Sequence, residues 1–182
     1  MHLTELENAV LGVVWLRGPC SAYLIKREFD TAPSVSWSAS AGSIYPLVRK
    51  LAASGLLVMT KAPWGKGTKT LVELSGTGRQ ALVDWTASVP EWAGLVAPDP
   101  IRTRVFFLNV LSTIDDHLRF VEDSEQVTRT AIANLESELR ELPAQASVFE
   151  RLANEGALFQ LKARLRWLRR LRGVLQGEPG SP

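Results

Sequence analysis

Cysteine is almost absent from this 182-residue chain, and its scarcity excludes two classes of protein. Cys20 is the single thiol, so the sequence can form neither an internal disulfide bond nor a cysteine cage for zinc. Cysteine usage of this kind favours a reducing environment. We therefore expect a cytoplasmic protein in which Cys20 packs in the core or lies on the surface, because no base is placed to activate it as a nucleophile.

Long hydrophobic runs are missing as well. The apolar run from Ala9 to Leu16 follows Glu5 and Glu7, whereas a secretion signal begins with basic residues. No uninterrupted apolar stretch approaches the roughly 18 residues that span a membrane. Neither secretion nor membrane insertion is expected.

The motifs of common enzyme classes are lacking too. The chain has no G-x-S-x-G nucleophile turn, no phosphate-binding loop with its lysine and no dinucleotide-binding glycine pattern, and Trp64 to Lys69 has the wrong spacing for any of them. Asp115, Asp116 and His117 are consecutive, so on a helix they point apart and make a poor metal site. The sequence predicts no enzyme, no cofactor and no bound metal.

The net charge of +2 is too small to indicate nucleic-acid binding by itself. The charges are unevenly placed, because residues 1–90 hold nine Lys or Arg against six Asp or Glu, whereas the later residues hold twelve against thirteen. The basic excess therefore lies in the first half. With 46% apolar residues the chain can bury a core, and we expect one domain of usual size plus a smaller partner.

Three helices are predicted in the first 55 residues. Thr4 and Glu7 have the spacing of a capping box, and a Gly-Pro pair ends the first helix near Arg17. Ser21 can cap a second helix, which Pro33 would end. A third helix follows, and its composition is the most informative in the chain.

The third helix has two contrasting faces. One is apolar and consists of Ile44, Leu47, Val48 and Leu51, which follow helical spacing. The opposite face is small and cationic and consists of Gly42, Pro46, Arg49, Lys50 and Ala53, with Ser43 and Tyr45 at its edges. Proline deep inside a helix costs about 3 kcal/mol, so we expect the helix to begin near Gly42 or Ser43, with Pro46 in its first turn. Gly55 is suited to end the helix in a left-handed conformation.

Two strands should come next, Leu56 to Lys61 and Thr70 to Leu74, joined by a basic, glycine-containing loop over 62–69. Ser75 can cap a fourth helix, and several prolines then indicate a linker. We place a first domain at 1–88, a linker at 89–100, a helical domain at 101–176 and a disordered tail at 177–182.

The helical domain contains an apolar seam that steps by threes and fours, as in a coiled coil with a polar middle. Such a seam needs a partner, which could be the chain's last helix, about Ser147 to Gln176, or a second subunit. The basic run from Lys162 to Arg172 fits packing against acidic residues of the long helix better than a second nucleic-acid surface. The acids that we expect to face it are Glu122, Glu136, Glu138 and Glu141. The dimerisation residues that we predict are Ile114, Leu118, Val121, Ile132, Leu135, Leu139, Leu142, Leu161, Leu165 and Leu168.

Three helices, a hairpin and a further helix form the order of a winged helix-turn-helix. The predicted fold is therefore mainly α with a small β-hairpin wing, plus a C-terminal helical dimerisation domain. In this architecture the third helix enters the DNA major groove and the wing lies on the neighbouring backbone. Small residues at the helix start allow close approach to phosphates, and hydroxyl and cationic side chains supply the contacts. The residues assigned this role are Ser40, Ser43, Pro46, Arg49, Lys50, Lys66 and Lys69.

Residues Leu3 to Leu74 resemble the DNA-binding domain of PadR-family transcriptional regulators. The resemblance rests on "LTELENAVLG", "SAYLIKREF" and above all "SAGSIYPLVRKLAASGLL", and "LVELSGTGRQAL" also fits. It implies a homodimeric repressor that binds an inverted-repeat operator, with the C-terminal helices making the dimer. By motif match it also implies that Tyr23 and Tyr45 contact phosphate, with Ser43 and the wing lysines nearby.

Two questions stay open at this level. The aromatic residues Trp85, Trp92, Phe106 and Phe107 could form a pocket for a small aromatic or apolar effector, or could simply pack as core. The winged helix could also be a protein-interaction module that does not read DNA, although such a module would favour an acidic or apolar third helix.

Overall fold

A computed structural model describes residues 3–31, 41–65, 67–144 and 146–177. It divides into two compact units, Met1–Val96 and Ala97–Pro182. The first contains α1 (Glu5–Arg17), α2 (Ala22–Thr31), α3 (Ile44–Ala53), β1 (Leu57–Trp64), β2 (Gly67–Leu74) and α4 (Gly76–Ala87). The second contains α5 (Pro100–Val105), α6 (Ile114–Glu141) and α7 (Val148–Leu175). Within these described ranges, no helix combines the length and the hydropathy that crossing a bilayer requires.

The first helix begins as its sequence predicts. The Thr4 hydroxyl accepts a hydrogen bond from the Glu7 amide at 3.3 Å, and the Glu7 carboxylate accepts one from the Thr4 amide at 2.8 Å. This reciprocal pair satisfies backbone donors that a helix start otherwise leaves free. At the far end, the Gly18 amide donates to the Val14 carbonyl at 2.8 Å and closes the helix.

The core of the first unit lies where α1, α2, α3 and the hairpin meet. Its fully buried members are apolar and include Leu11, Ile25, Phe29, Ile44 and Val72. Cys20 is buried beside them, and its amide and carbonyl both bond to Val72 of β2. Cys20 is therefore a packing residue that attaches the loop before α2 to the wing.

The wing differs from its prediction. The two strands pair antiparallel from Leu57 opposite Leu74 as far as Trp64 opposite Gly67, so the predicted loop over 62–69 is wrong. Gly65 has a φ of +56°, which glycine adopts without strain, and this permits a tight turn. Pro63 lies within β1 because each strand of a two-stranded sheet has a free edge, where a missing amide costs no interstrand bond.

The fourth helix is fixed against the end of α3 by one serine. The Ser75 hydroxyl accepts from the Gly78 amide at 2.9 Å and donates to the Gly55 carbonyl at 2.6 Å. Gly78 itself has no room for a side chain, since an added Cβ would lie 2.0 Å from the Leu56 carbonyl oxygen.

The second unit is built on the α6 and α7 pair. Lys162 reaches Glu136 at 2.7 Å and Arg172 reaches Glu125 at 3.3 Å, so later residues of α7 meet earlier residues of α6 and the helices are antiparallel. The seam predicted for α6 thus packs on the chain's own last helix. The short helix α5, which Asp99 caps through the amides of Ile101 and Arg102, lies at the end of the predicted linker.

Candidate nucleic-acid interface

The exposed face of α3 has the composition that the sequence predicts. A 3-10 turn, Ala41–Ser43, leads into the helix, and Pro46 is the third helical residue, where it removes no internal hydrogen bond. Ile44, Val48 and Leu51 are buried, and the opposite face is exposed. That exposed face contains Gly42, Ser43, Tyr45, Pro46, Arg49 and Lys50.

Ser43 precedes the first residue of α3, and its side chain makes no capping hydrogen bond. The amides of the first turn and the Ser43 hydroxyl are therefore donors at a helix N-terminus, where a negative charge is stabilised. Ser40 lies outside the described residues, so the structure adds nothing about it. The geometry at Ser43 suits a phosphate oxygen.

Tyr23 of α2 and Tyr45 of α3 are both exposed, at 65% and 42%. Lys26, one turn after Tyr23, carries a pKa raised above its ordinary value by its hydrogen bond to Asp30, which lies 2.5 Å away. Lys26 is therefore already paired within α2.

The two cations of α3 differ in their surroundings. Arg49 is exposed and forms no ion pair with the described part of the chain. Lys50 places its Nζ 2.6 Å from the Oε1 of Glu7, a carboxylate whose side chain is only 5% exposed. Lys50 and the amide of Thr4 hold the pKa of Glu7 below its ordinary value of 4.5. Lys50 is therefore not the free cation that the sequence analysis expected.

The wing supplies a second basic element. The Lys69 Nζ lies 3.9 Å from the centre of the Trp64 ring, a cation–π contact on an indole that is itself 67% exposed. Lys66 lies outside the described residues. Trp64 thus supports Lys69 from one side and leaves the rest of its ring surface open.

The residues predicted to form the dimer lie mostly between α6 and α7 of one chain. Val121, Leu135 and Leu168 are fully buried there, and only Ile114 is exposed. The side chains of Val121, Leu135 and Leu168 therefore have no accessible surface for contact with a second subunit. The remaining six are half-buried: Leu118, Ile132, Leu139, Leu142, Leu161 and Leu165.

The basic run of α7 is paired with acidic residues in part: of the four acids predicted as its partners, Glu136 is the one that forms an ion pair with it among the described residues. Besides the Lys162–Glu136 pair, Arg164 reaches Asp99 at 2.9 Å. Glu125 is buried, accepts a hydrogen bond from Arg129 and lies 3.3 Å from Arg172. Arg166, Arg169 and Arg170 of the same run are exposed, and no ion pair joins them to the described part of the chain.

The predicted aromatic pocket takes a different form. Trp85 lines an apolar groove of about 560 Å³ between α1 and α4, together with Trp15, Leu16, Leu82 and Arg79. Trp92, Phe106 and Phe107 are exposed and are not among the lining residues.

The indole of Trp85 donates to the Glu5 carboxylate at 3.0 Å, and the Arg79 guanidinium lies 5.0 Å from the centre of the Trp15 ring. Trp15 and Trp85 are 70 residues apart, and no local pattern indicates that they meet.

No protein-family model matches the chain. Over 145 residues the chain is 28% identical to the negative transcriptional regulator PadR of Bacillus subtilis (strain 168). The aligned residues make up 78% of this chain and 76% of that protein.

Solved structures agree with the fold. Bacillus subtilis PadR in complex with operator DNA matches with a TM-score of 0.79 and 23% identity, over 96% of this chain and 99% of the other. The same protein in complex with p-coumaric acid matches with a TM-score of 0.72 and 23% identity, over 94% and 98% of the two chains. These likenesses establish the winged-helix fold with its helical second unit.

Proposed function

We propose that the chain is a transcriptional regulator of the PadR type, as its 28% identity to Bacillus subtilis PadR supports, and that it is a homodimeric repressor that binds an inverted-repeat operator. Each subunit would place α3 in the major groove of one half-site, and the two half-sites would lie one or more helical turns apart. The relatives are regulators of transcription and not enzymes.

The observation that carries this proposal is the chemistry of the α3 surface. Its leading end is made of small residues with unused donors, Arg49 is exposed one turn later, and the side chains of Tyr23 and Tyr45 are exposed as well. Phosphate contacts of this type fix the position of a protein on DNA, while a side chain such as Arg49 can read a base edge.

Fluorescence anisotropy with labelled DNA from upstream of the protein's own gene tests the proposal. We expect Arg49→Ala to weaken binding by about 1–3 kcal/mol, the range for a specific arginine contact. Arg166→Ala is the matched control, because Arg166 is exposed on α7 of the second unit. Equal affinities for wild type, Arg49→Ala and Arg166→Ala would reject the role assigned to α3.

The dimer should use surfaces that the helix pair leaves open. Three large apolar side chains of α7, Phe149, Leu152 and Phe159, are more than half exposed and follow helical spacing around Gly156. We assign these residues, rather than the buried seam, to contact with the second subunit. Light scattering should show that Leu152→Glu is monomeric, whereas Val127→Glu, at an exposed apolar position of α6, stays dimeric.

An effector that releases the DNA would be small and apolar or aromatic, because the groove beside Trp85 is lined by two indoles and aliphatic side chains. p-Coumaric acid is a suitable first probe, since Bacillus subtilis PadR has been solved with it. Binding in the groove should quench tryptophan fluorescence and release labelled DNA, and Trp85→Ala should weaken both effects. Quenching that is unchanged in Trp85→Ala would place the effector elsewhere.

The alternative, a winged-helix module that binds another protein, has one observation in its favour, the exposed Trp64 and Val58 of the wing. The cationic side chain and unused donors of α3 favour DNA instead. The same anisotropy experiment decides between them, because a protein-binding module would show no preference for the upstream fragment over unrelated duplex.

A further inference from the structure

The Glu7–Lys50 pair joins the start of α1 to the exposed face of α3, across 43 residues of sequence. Its two partners differ in exposure, because the Lys50 side chain is 65% exposed whereas Glu7 is almost completely covered. The carboxylate also accepts from the amide and the hydroxyl of Thr4, at 2.8 and 3.1 Å. Glu7 is thus fixed in place by the capping box, and Lys50 is the exposed member of the pair.

We propose that Glu7 is a specificity-determining residue that holds Lys50 back from the DNA backbone, so that Arg49 is the only cation of α3 free to contact the duplex. This inference rests on the proposed DNA-binding function. It differs from the sequence-based expectation, which assigns DNA contacts to both Arg49 and Lys50.

The physical reason is the cost of leaving Glu7 without its counter-ion. If Lys50 turned to a phosphate, the covered carboxylate would keep only its two bonds to Thr4, and a buried charge that loses its ionic partner is strongly destabilised. A lysine–phosphate contact at a solvated surface offers less in return, since its gain comes largely from the release of a counter-ion and vanishes at high salt. Lys50 therefore stays on Glu7 when the protein binds.

The consequence for recognition is that α3 carries less sequence-independent charge than its composition indicates. Contacts to phosphate raise affinity for every duplex alike, whereas contacts to base edges separate the operator from other DNA. Because Glu7 neutralises Lys50, α3 makes fewer contacts to phosphate. The contact to base edges is left to Arg49. The pair thereby favours discrimination over general affinity.

The test is the slope of log affinity against log salt concentration on one duplex that the wild-type protein binds. Each phosphate contact that is lost flattens this slope by about 0.9. We expect Lys50→Met to flatten it by less than about 0.3, whereas Arg49→Met, the matched change at the preceding residue, should weaken binding because it removes the base contact assigned to Arg49. Glu7→Gln should steepen the slope by about 0.9, because it releases Lys50, and the Glu7→Gln/Lys50→Met double variant should return it to the wild-type value.

Two results would overturn the inference: a slope flattened by about 0.9 in Lys50→Met alone, or an unchanged slope in Glu7→Gln. A merely structural Glu7 would lower affinity equally at all salt concentrations, so the slope separates the two roles. The Lys50→Met result decides the matter even if Glu7→Gln folds poorly. If wild type binds no duplex at all, the proposed function itself fails, and the wild-type measurement shows this before any variant is compared.

Discussion

The two units of the chain bury polar groups in different places, and this difference indicates how each is stabilised. In the winged-helix unit the buried polar residues Glu7 and Asn8 lie at the start of α1, at the edge of an apolar core. In the helical unit Ser124, Glu125 and Thr128 lie in the middle of the α6 and α7 contact. The first unit is therefore stabilised mainly by an apolar core with one paired charge at its edge, whereas the second buries a charge inside the contact between its two long helices.

The largest effect that we predict breaks the core of the first unit. Phe29 is fully buried, so Phe29→Ala should lower the free energy of unfolding by about 3–5 kcal/mol in urea titrations followed by circular dichroism. Phe106→Ala makes the same change at a side chain that is 77% exposed and should have almost no effect. Equal losses in the two variants would contradict the assignment of the core.

A change in the second unit should have the opposite sign. Replacing a buried ion pair by apolar side chains is often neutral or stabilises the folded state by about 1–4 kcal/mol. The partners of Glu125, Arg129 and Arg172, are partly exposed, so water can solvate their guanidinium groups once Glu125 is removed. We expect Glu125→Leu to keep or raise the thermal midpoint, with Glu122→Leu, at an exposed site of α6, as the control. A large loss of stability would show that Glu125 is essential to the helix pair.

The capping box of α1 should contribute less than either core. Thr4→Ala removes the hydroxyl that accepts from the Glu7 amide, and such caps are worth about 1 kcal/mol. Thr130→Ala is the control, since this hydroxyl only donates to a carbonyl within an exposed stretch of α6. A Thr4→Ala variant as stable as Thr130→Ala would mean that the helix start does not depend on the cap.

The smallest effect that we predict is a loss of thermal stability at low pH. The pKa of Glu7 is lowered by Lys50 and Thr4, and the pKa of Glu136 by Lys162. Burial would raise the pKa of Asp99, but the Arg102 and Ile101 amides and Arg164 together hold it below its usual range.

A carboxyl whose folded pKa is depressed adds stability above its unfolded pKa and loses it as the pH falls through the folded value. The thermal midpoint should therefore be level above about pH 5 and fall below it, less steeply in Glu7→Gln. A midpoint that rises between pH 5 and pH 3 would contradict these shifts.

Local rules were enough to predict much of the first unit. The three-residue spacing of Thr4 and Glu7 located the start of α1, and the helical period of Ile44, Val48 and Leu51 fixed which side of α3 faces outward. Pro46 and Gly55 then bounded that helix correctly. These features depend on residues within one or two turns of each other, and sequence shows them directly.

Contacts between distant residues could not be predicted. No pattern indicates that Lys50 meets Glu7, or that Trp15 meets Trp85 across the groove. The strand ends were missed because Pro63 and Gly67 are loop-forming residues that an isolated hairpin can also accommodate. The seam of α6 was read correctly as a packing surface, but spacing alone does not say whether the partner belongs to the same chain.

The most direct test of the central claim is a selection of genomic DNA fragments by the purified protein, followed by sequencing of the bound fragments. The recovered fragments should share an inverted repeat whose half-site centres are separated by about 10 base pairs or a multiple of that distance, and Arg49→Ala should lose the enrichment. Fragments recovered without any common sequence, or equally by Arg49→Ala, would contradict the claim that α3 reads DNA.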